Sequence, residues 1–404
     1  MIVARQLTEK HGFVATMSAC LLCFACSSNS PSGSDSAGGG GSSGALSAGG
    51  PGVGTAGASS GGSSGASATA GASTATSGSG GAPSSGGSAG SGTSGAASGG
   101  ANAVAGAAGS AGASGGSGGP VVPAPDSGGS LYRFNYNDTI LEVDAKTGGR
   151  VSKFSLSGAD MMVTTASDPT TWGSVFWTSP RTKTWMPEWP PPAAIDNGPY
   201  TATISGTHLT LTGAADSSLG VSMAKDYSAD SASGWITIKY TVNSSKAQSA
   251  APWEVSRVPR GGIAFFPLGT ASSLKAGPLT VTQSGGMVWF DDGPKTATSA
   301  DGSKLVADGK DGWEAYVFGG NLFLKRFTDQ PTSAQAPNGE GEICLYPGAT
   351  WVEFEVQGPY TAIPASGSLP WTVQWRLVKI PSTVTVAVGS ATLVSFVQQQ
   401  LAIP

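Results

Sequence analysis

Three short stretches hold the residue types that could do chemistry. Trp177, Trp185 and Trp189 follow one another closely beside Arg181, Glu188 and Asp196. Trp253-Glu254-Val255-Ser256-Arg257 sets an acid and a base next to an indole, and Glu353 and Glu355 alternate with Val352, Phe354 and Val356. Flat aromatic faces grip the C–H surfaces of sugar rings, while carboxylates, amides and arginine bond the hydroxyls around them. Carbohydrate contact is therefore the chemistry these types suit, with Trp177, Arg181, Trp185, Trp189, Glu254, Arg257 and Glu355 as the candidate residues. The alternatives are packing of the tryptophans in a core or loop and a structural salt bridge between Glu254 and Arg257. In an extended segment Trp253, Val255 and Arg257 share one face and Glu254 and Ser256 take the other. Glu254 and Arg257 would meet one ligand only across a bulge. Glu353 and Glu355 share a polar face that lines a cleft or meets water; the turn signal Gln357-Gly358-Pro359 after Glu355 favours the cleft.

The elements that must position these residues are strands. From Leu131 onward the hydrophobic pattern has a period of two with turn punctuation, and helical periodicity is nearly absent. Arg150–Leu156 alternates cleanly after the turn at Lys146-Thr147-Gly148-Gly149, and Trp235–Val242 is a strong strand closed by Asn243. Further strands are expected at Thr139–Asp144, Tyr200–Ser205, Thr207–Thr212, Leu279–Gln283, Glu314–Phe318, Leu322–Phe327, Gly341–Leu345, Trp351–Val356 and Trp371–Val378. Ala391–Leu401 is the one plausible helix. The segment Trp177–Asp196 is Pro-rich and fits a loop better than a strand. So many short strands without a fixed repeat predict an all-β sandwich of large antiparallel sheets rather than a propeller.

The rest of the 404 residues is not core material. About half of the 62 glycines fall between Pro31 and Ser130, a stretch with no aromatic residue and two charges, Asp35 and Asp126. Such a segment cannot recover its ordering entropy, so residues 27–130 are expected as a disordered Gly/Ser/Ala-rich linker closed by an extended collar at Pro120–Pro125. That leaves 131–404 as the folded domain. A net charge of −4 with 11% charged residues provides no basic field for nucleic acid. No apolar run reaches the ~18–20 residues of a spanning helix. Arg5, Lys10 and His11 precede an apolar stretch, Gly12–Ala25, of the length of a secretory signal, giving a leader at 1–26. Its end, Leu22-Cys23-Phe24-Ala25-Cys26, resembles the lipobox of bacterial lipoproteins, which implies Cys26 as the lipid anchor and an address in the cell envelope, at the outer membrane or cell surface. Cys20 is a competing position, and cleavage of an ordinary signal near Ala25 is the alternative. Cys344 is the one cysteine past the leader and sits in an apolar run, so neither an intrachain disulfide nor a metal-ligand pattern is expected. The aspartates Asp301, Asp308 and Asp311 match no calcium loop, and no dinucleotide or phosphate-loop motif occurs; no cofactor is expected.

The order of motifs resembles a known superfamily. Glu142-Val143-Asp144 with Gly148-Gly149-Arg150-Val151, then Trp177-Thr178-Ser179-Pro180-Arg181, Trp189-Pro190-Pro191-Pro192, Ala251-Pro252-Trp253-Glu254-Val255-Ser256-Arg257, and Trp351–Tyr360 leading to Trp375 are similar in succession to the galactose-mutarotase-like proteins. The resemblance covers nearly all of 131–380. It implies a β-supersandwich whose concave face binds sugar, as a monomer with a mono- or oligosaccharide partner. Characterised epimerases of that superfamily use a glutamate base and a histidine acid. Here His208 shares its strand face with threonines and is expected at the surface. Tyr346, in Ile343-Cys344-Leu345-Tyr346-Pro347, stands where the resemblance would place the glutamate. The expectation is thus a surface-tethered carbohydrate-binding protein with catalysis lost or altered. The alternatives are an epimerase or glycan-processing enzyme using Glu355 as acid and base, and an envelope scaffold that binds no sugar.

Overall fold

A computed structural model describes residues 118–180, 191–298 and 302–404. The leader with Cys26, the linker up to residue 117, and the candidates Arg181, Trp185 and Trp189 lie outside the described residues.

Alternation of side chains organises everything else. Val221–Asp230 turns Val221, Met223, Lys225, Tyr227 and Ala229 inward, with a half-buried residue between each pair. A strand with this pattern must lay one face on a second layer, and two large sheets result. The first runs, in spatial order, Thr282–Ser284, Met287–Asp291, Ile263–Pro267, Trp313–Phe318, Asn321–Phe327, Gly367–Lys379, Trp235–Ser244, Val221–Asp230, His208–Gly213, Tyr200–Ser205. The second runs Leu305–Ala307, Ile343–Pro347, Trp351–Gln357, Gln248–Pro259, Ser174–Ser179, Arg150–Leu156, Thr139–Asp144, Leu131–Tyr136, Ala124–Pro125. The pairings between these strands are antiparallel, giving the all-β sandwich that the alternation predicts.

Three local expectations change. Pro120–Val121 pairs with Val221–Asp230 and Ala124–Pro125 with Leu131–Tyr136, so the collar belongs to the sheets and the domain starts before Leu131. Ser174–Ser179 is a fully buried strand, which takes Trp177 out of the expected loop. At Leu279–Gln283 only the end is strand, which runs Thr282–Ser284. The helix falls at Ala391–Leu401, capped by the Ser390 hydroxyl accepting from the Leu393 N–H at 3.2 Å. Leu393, Phe396 and Val397 cover Trp235, Phe265, Trp289 and Trp313 on the outside of the first sheet.

The turn Lys146-Thr147-Gly148-Gly149 shows why glycine is needed there. Gly148 has φ +67°, and a Cβ on it would lie 1.8 Å from the Asp196 carbonyl oxygen. The Gly148 and Gly149 carbonyls accept from the buried Lys225 ammonium at 2.7 and 2.9 Å. Burial brings the Lys225 ammonium down to about 7.

The interior between the sheets is aromatic and carries a buried ionic cluster. Phe323 meets Phe154 at 5.3 Å, Trp375 at 5.1 Å and Phe354 at 5.5 Å. Lys325, from the first sheet, places its ammonium 2.7 Å from Glu254 of the second and 3.4 Å from Glu314 of its own. It also donates to the Phe354 carbonyl at 2.6 Å. Glu254 accepts from Ser256 at 2.8 Å and from the Trp375 indole at 3.0 Å. All three charged side chains are fully buried. Two carboxylates share one ammonium, and burial, opposed by Lys325, holds the Glu314 carboxyl well above the usual carboxylate range.

Removing one member of such a cluster strands the others, whereas replacing all of them by apolar groups does not. Lys325→Met should lower unfolding free energy by roughly 3–5 kcal/mol. The triple change Lys325→Met, Glu254→Leu, Glu314→Leu should recover most of that loss, as read by denaturant unfolding at neutral pH.

Candidate functional site

The face of the second sheet turned away from the first gathers the remaining chemistry. Cross-strand register sets Trp253 opposite Trp177 on one side and Gln357 on the other, Val255 opposite Glu355, and Arg257 opposite Glu353. The next strand sets Cys344 opposite Glu355 and Tyr346 opposite Glu353. Period-two alternation then assigns the faces. Phe176 stacks on Tyr240 of the first sheet at 4.2 Å, so its neighbour Trp177 faces outward. Trp253, Arg257, Glu353, Glu355 and Gln357 share Trp177's side.

Glu254 does not. It points into the inter-sheet core and ends on Lys325, so this candidate belongs to the ionic cluster and not to the face that carries Arg257 and Glu355. No bulge brings Glu254 and Arg257 together.

Two subclusters lie along the outer face. In one, Arg150 donates to both oxygens of Asp196 at 3.1 Å, and the Trp177 indole donates to Asp196 at 3.0 Å. Arg257 bonds Glu353 at 3.1 and 3.0 Å and lies 5.4 Å from the centre of the Trp177 ring. In the other, the Trp253 indole donates to Glu355 Oε2 at 2.8 Å. Glu355 Oε1 accepts no hydrogen bond and stands 3.8 Å from the Lys304 ammonium. Lys304 Nζ is 5.7 Å from the ring centres of both Trp253 and Tyr346. Trp177 and Trp253 meet edge to face at 5.3 Å, joining the two subclusters.

Glu355 is fully buried, while the Lys304 side chain is 27% exposed and forms the solvent side of the pair. Burial drives the Glu355 carboxyl up, to about 7; Lys304 opposes the shift, and Glu353 and Glu340 reinforce it. Burial works against the Lys304 charge as well, yet the carboxylates, Glu355 foremost, hold its ammonium above the ordinary lysine range. The arrangement therefore offers an indole, an acceptor without a donor, and a carboxyl able to exchange a proton near neutrality.

Several of these contacts carried no local signal. Lys304 sits among the glycines and aspartates of a turn and reaches Glu355 because Leu305–Ala307 pairs with Ile343–Pro347. Arg150 and Asp196 are 46 residues apart and meet through the fold. Asp308, weighed for calcium, accepts from the Thr270 N–H and the Gln335 amide and ties loops together. His208 lies on the outer side of the first sheet, exposed and 2.7 Å from Asp226. It is thus on the opposite side of the sandwich from Glu355 and does not complete a glutamate–histidine pair.

The pH dependence follows from the sign of the Glu355 shift. A carboxyl whose folded value exceeds its ordinary 4.5 contributes stability that is complete below about pH 4.5 and is lost as pH rises to about 7. The stability difference between the wild type and Glu355→Gln should fall across that window and level off above it, in denaturant titrations at stepped pH.

No family model matches the chain, and no curated protein matches it. Among solved structures it is similar to a galactose mutarotase-like protein from Lactobacillus casei, at 11% identity over 61% of this chain and 100% of that one, with a TM-score of 0.46. It is also similar to a putative aldose 1-epimerase from Escherichia coli (10% identity, 62% of this chain, 99% of that one, TM-score 0.41). A third is a galactose 1-epimerase from Lactobacillus acidophilus (11%, 65%, 98%, 0.38). These three are named a galactose mutarotase-like protein, a putative aldose 1-epimerase and a galactose 1-epimerase, and a TPR-domain containing protein from Parabacteroides distasonis is similar as well (12% identity, 62% of this chain, 49% of that one, TM-score 0.41).

Proposed function

We propose that this chain binds carbohydrate on the outer face of its second sheet, around Trp253 and Glu355. The observation that carries the reading is the buried Glu355 Oε1, an acceptor with no hydrogen bond beside an indole and a partly exposed ammonium. Leaving a buried acceptor unpaired is costly, and a sugar hydroxyl supplies the missing donor. The order of motifs described above supports the same reading. Arg257 and Trp177 contribute through the adjoining subcluster, which holds the face in shape. Export and anchoring at the cell envelope through Cys26 complete the proposal, on the strength of the leader and its lipobox-like end.

One observation favours a second reading. The Glu355 carboxyl, pushed up by burial, lies 3.8 Å from the Lys304 ammonium, a pairing suited to general acid–base work, which would make the site an epimerase centre with Glu355 as base.

The test is a glycan array with the full chain, followed by titration of any hit. Selective binding is expected, weakened roughly ten- to hundredfold by Glu355→Ala or Trp253→Ala. A folded protein that binds no glycan would leave the scaffold reading. Exchange between the anomeric NMR signals of a bound sugar, faster than buffer and abolished by Glu355→Gln, would establish the enzyme. Metabolic labelling with a fatty acid should mark the wild type and not Cys26→Ala; label retained by that variant would move the anchor to Cys20.

A further inference from the structure

The buried cluster between the sheets holds an amine and an acyl group within reacting range. Lys325 Nζ lies 2.7 Å from Glu254 Oε1. A nitrogen so close to one carboxylate oxygen stands about 3–3.5 Å from the carboxyl carbon, the spacing of a near-attack arrangement. The nitrogen is fixed by its 2.6 Å bond to the Phe354 carbonyl, and the ring centres of Phe354, Phe323 and Trp375 surround it at 4.4, 5.7 and 5.9 Å. The two oxygens of Glu254 differ in their partners. Oε2 accepts from the Trp375 indole at 3.0 Å, while Oε1 meets the ammonium and accepts from Ser256 at 2.8 Å. Glu314 is the third member. Beyond the 3.4 Å approach of Nζ to its Oε1, neither of its oxygens has a hydrogen-bond partner among the described residues. Glu254 already balances Lys325, so a second buried carboxyl with so little support is a poor structural counter-ion.

We infer that Lys325 and Glu254 condense into an amide, a covalent bridge between the two sheets, with Glu314 relaying the proton. The ammonium first passes one proton to Glu254 Oε1, which leaves an amine facing a carboxylic acid. Nζ then attacks the Glu254 carboxyl carbon. The N–C bond forms and the electron pair of the C–O double bond moves to Oε2, where the Trp375 N–H meets the developing charge. Nζ gives up its second proton, by way of the Glu314 carboxyl, to the Oε1 hydroxyl, which leaves as water when Oε2 restores its double bond. The water takes its oxygen from Glu254 and both hydrogens from Lys325, and Glu314 ends as it began. No oxidant or further reactant enters. Condensation replaces two buried charges by a neutral amide, which removes their desolvation penalty. Full burial also keeps solvent from hydrolysing the product. The Glu314 carboxyl, held well above the usual range by burial, carries the proton that the relay needs. The ion pairs described above are the state before this bond, and the unfolding comparison of Lys325→Met with the triple variant applies to chain in that state. The bridge is independent of the carbohydrate reading.

Peptide mass spectrometry reads the bond directly. The full chain is purified folded, then denatured and digested. The wild type should yield a branched peptide joining the segment with Glu254 to the segment with Lys325, about 18 Da, one water, lighter than the two together. Lys325→Met and Glu254→Ala should each give the separate segments alone. Glu314→Gln keeps the side-chain volume and removes the acid, so it should slow bond formation roughly a hundredfold and leave most of the chain unlinked. Wild type that gives only separate segments, with Glu254 and Lys325 unmodified, would overturn the bridge. A branch running from Lys325 to Glu314 would overturn the choice of acyl group, and linkage of Glu314→Gln at the wild-type rate would overturn the relay. The wild-type digest decides whether the bridge exists even where a variant does not fold.

Discussion

A lysine ammonium held out of water is tolerated only where the protein replaces its hydration, and Lys325 imposes that requirement at the centre of this sandwich. Its strand gives it no choice of face, because Phe323 and Phe327 flank it on the inward row. The carboxylates and carbonyl that satisfy it come from both sheets, from Glu254 and Phe354 across the core and from Glu314 alongside. Hydrophobic contact alone lets two sheets slide by a strand position. A point charge with three donors adds a directional constraint, and this one ties Lys325 of the first sheet to Glu254 and Phe354 of the second. Trp375, which donates to Glu254 while packing on Phe154 and Phe323, couples that register to the aromatic core.

The outer face inherits its order from this arrangement. Glu254 pointing inward obliges Trp253, Val255 and Arg257 to point outward, and the antiparallel register then aligns Glu353, Glu355 and Gln357 beside them. The candidate site is thus built on the middle strands of a sheet rather than on loops, with its hydrogen bonds already in place. Under the proposed function, such preorganisation would lower the entropy that binding must overcome. Lys304, beside the edge strand, is a long and partly exposed member of the site.

Much of the fold was legible because alternation is a direct imprint of the sheet. Trp235–Ser244 and Arg150–Leu156 read as strands for the same reason that they are strands, one face of each being buried. Val221–Asp230 escaped because Lys225 interrupts its apolar row, and no local rule foretells that two carbonyls of a turn 76 and 77 residues away will satisfy that lysine. Trp177 was misplaced because the prolines that follow it suggested a loop, while the burial of its strand comes from neighbours distant in sequence. At the site, alternation separated Glu254 from Arg257 and placed Glu353 and Glu355 on one face. It could not say which of the two faces met the other sheet, and so Glu254 stood among the candidates. Lys304, Arg150 and Asp196 depend on pairing between remote strands and loops, for which a single sequence carries no signal.

A sugar at the Trp253–Glu355 pair would be felt first by the indole N–H of Trp253, which is bonded to Glu355 Oε2. The decisive measurement is a titration of the full chain with a bound sugar, followed by the tryptophan indole signals in 15N–1H spectra assigned by single substitutions. Sugar binding at this face should give a saturable shift of the Trp253 indole signal, with Trp235 under the carboxyl-terminal segment on the other sheet unmoved. Saturable binding that shifts Trp235 and leaves Trp253 unchanged would contradict it.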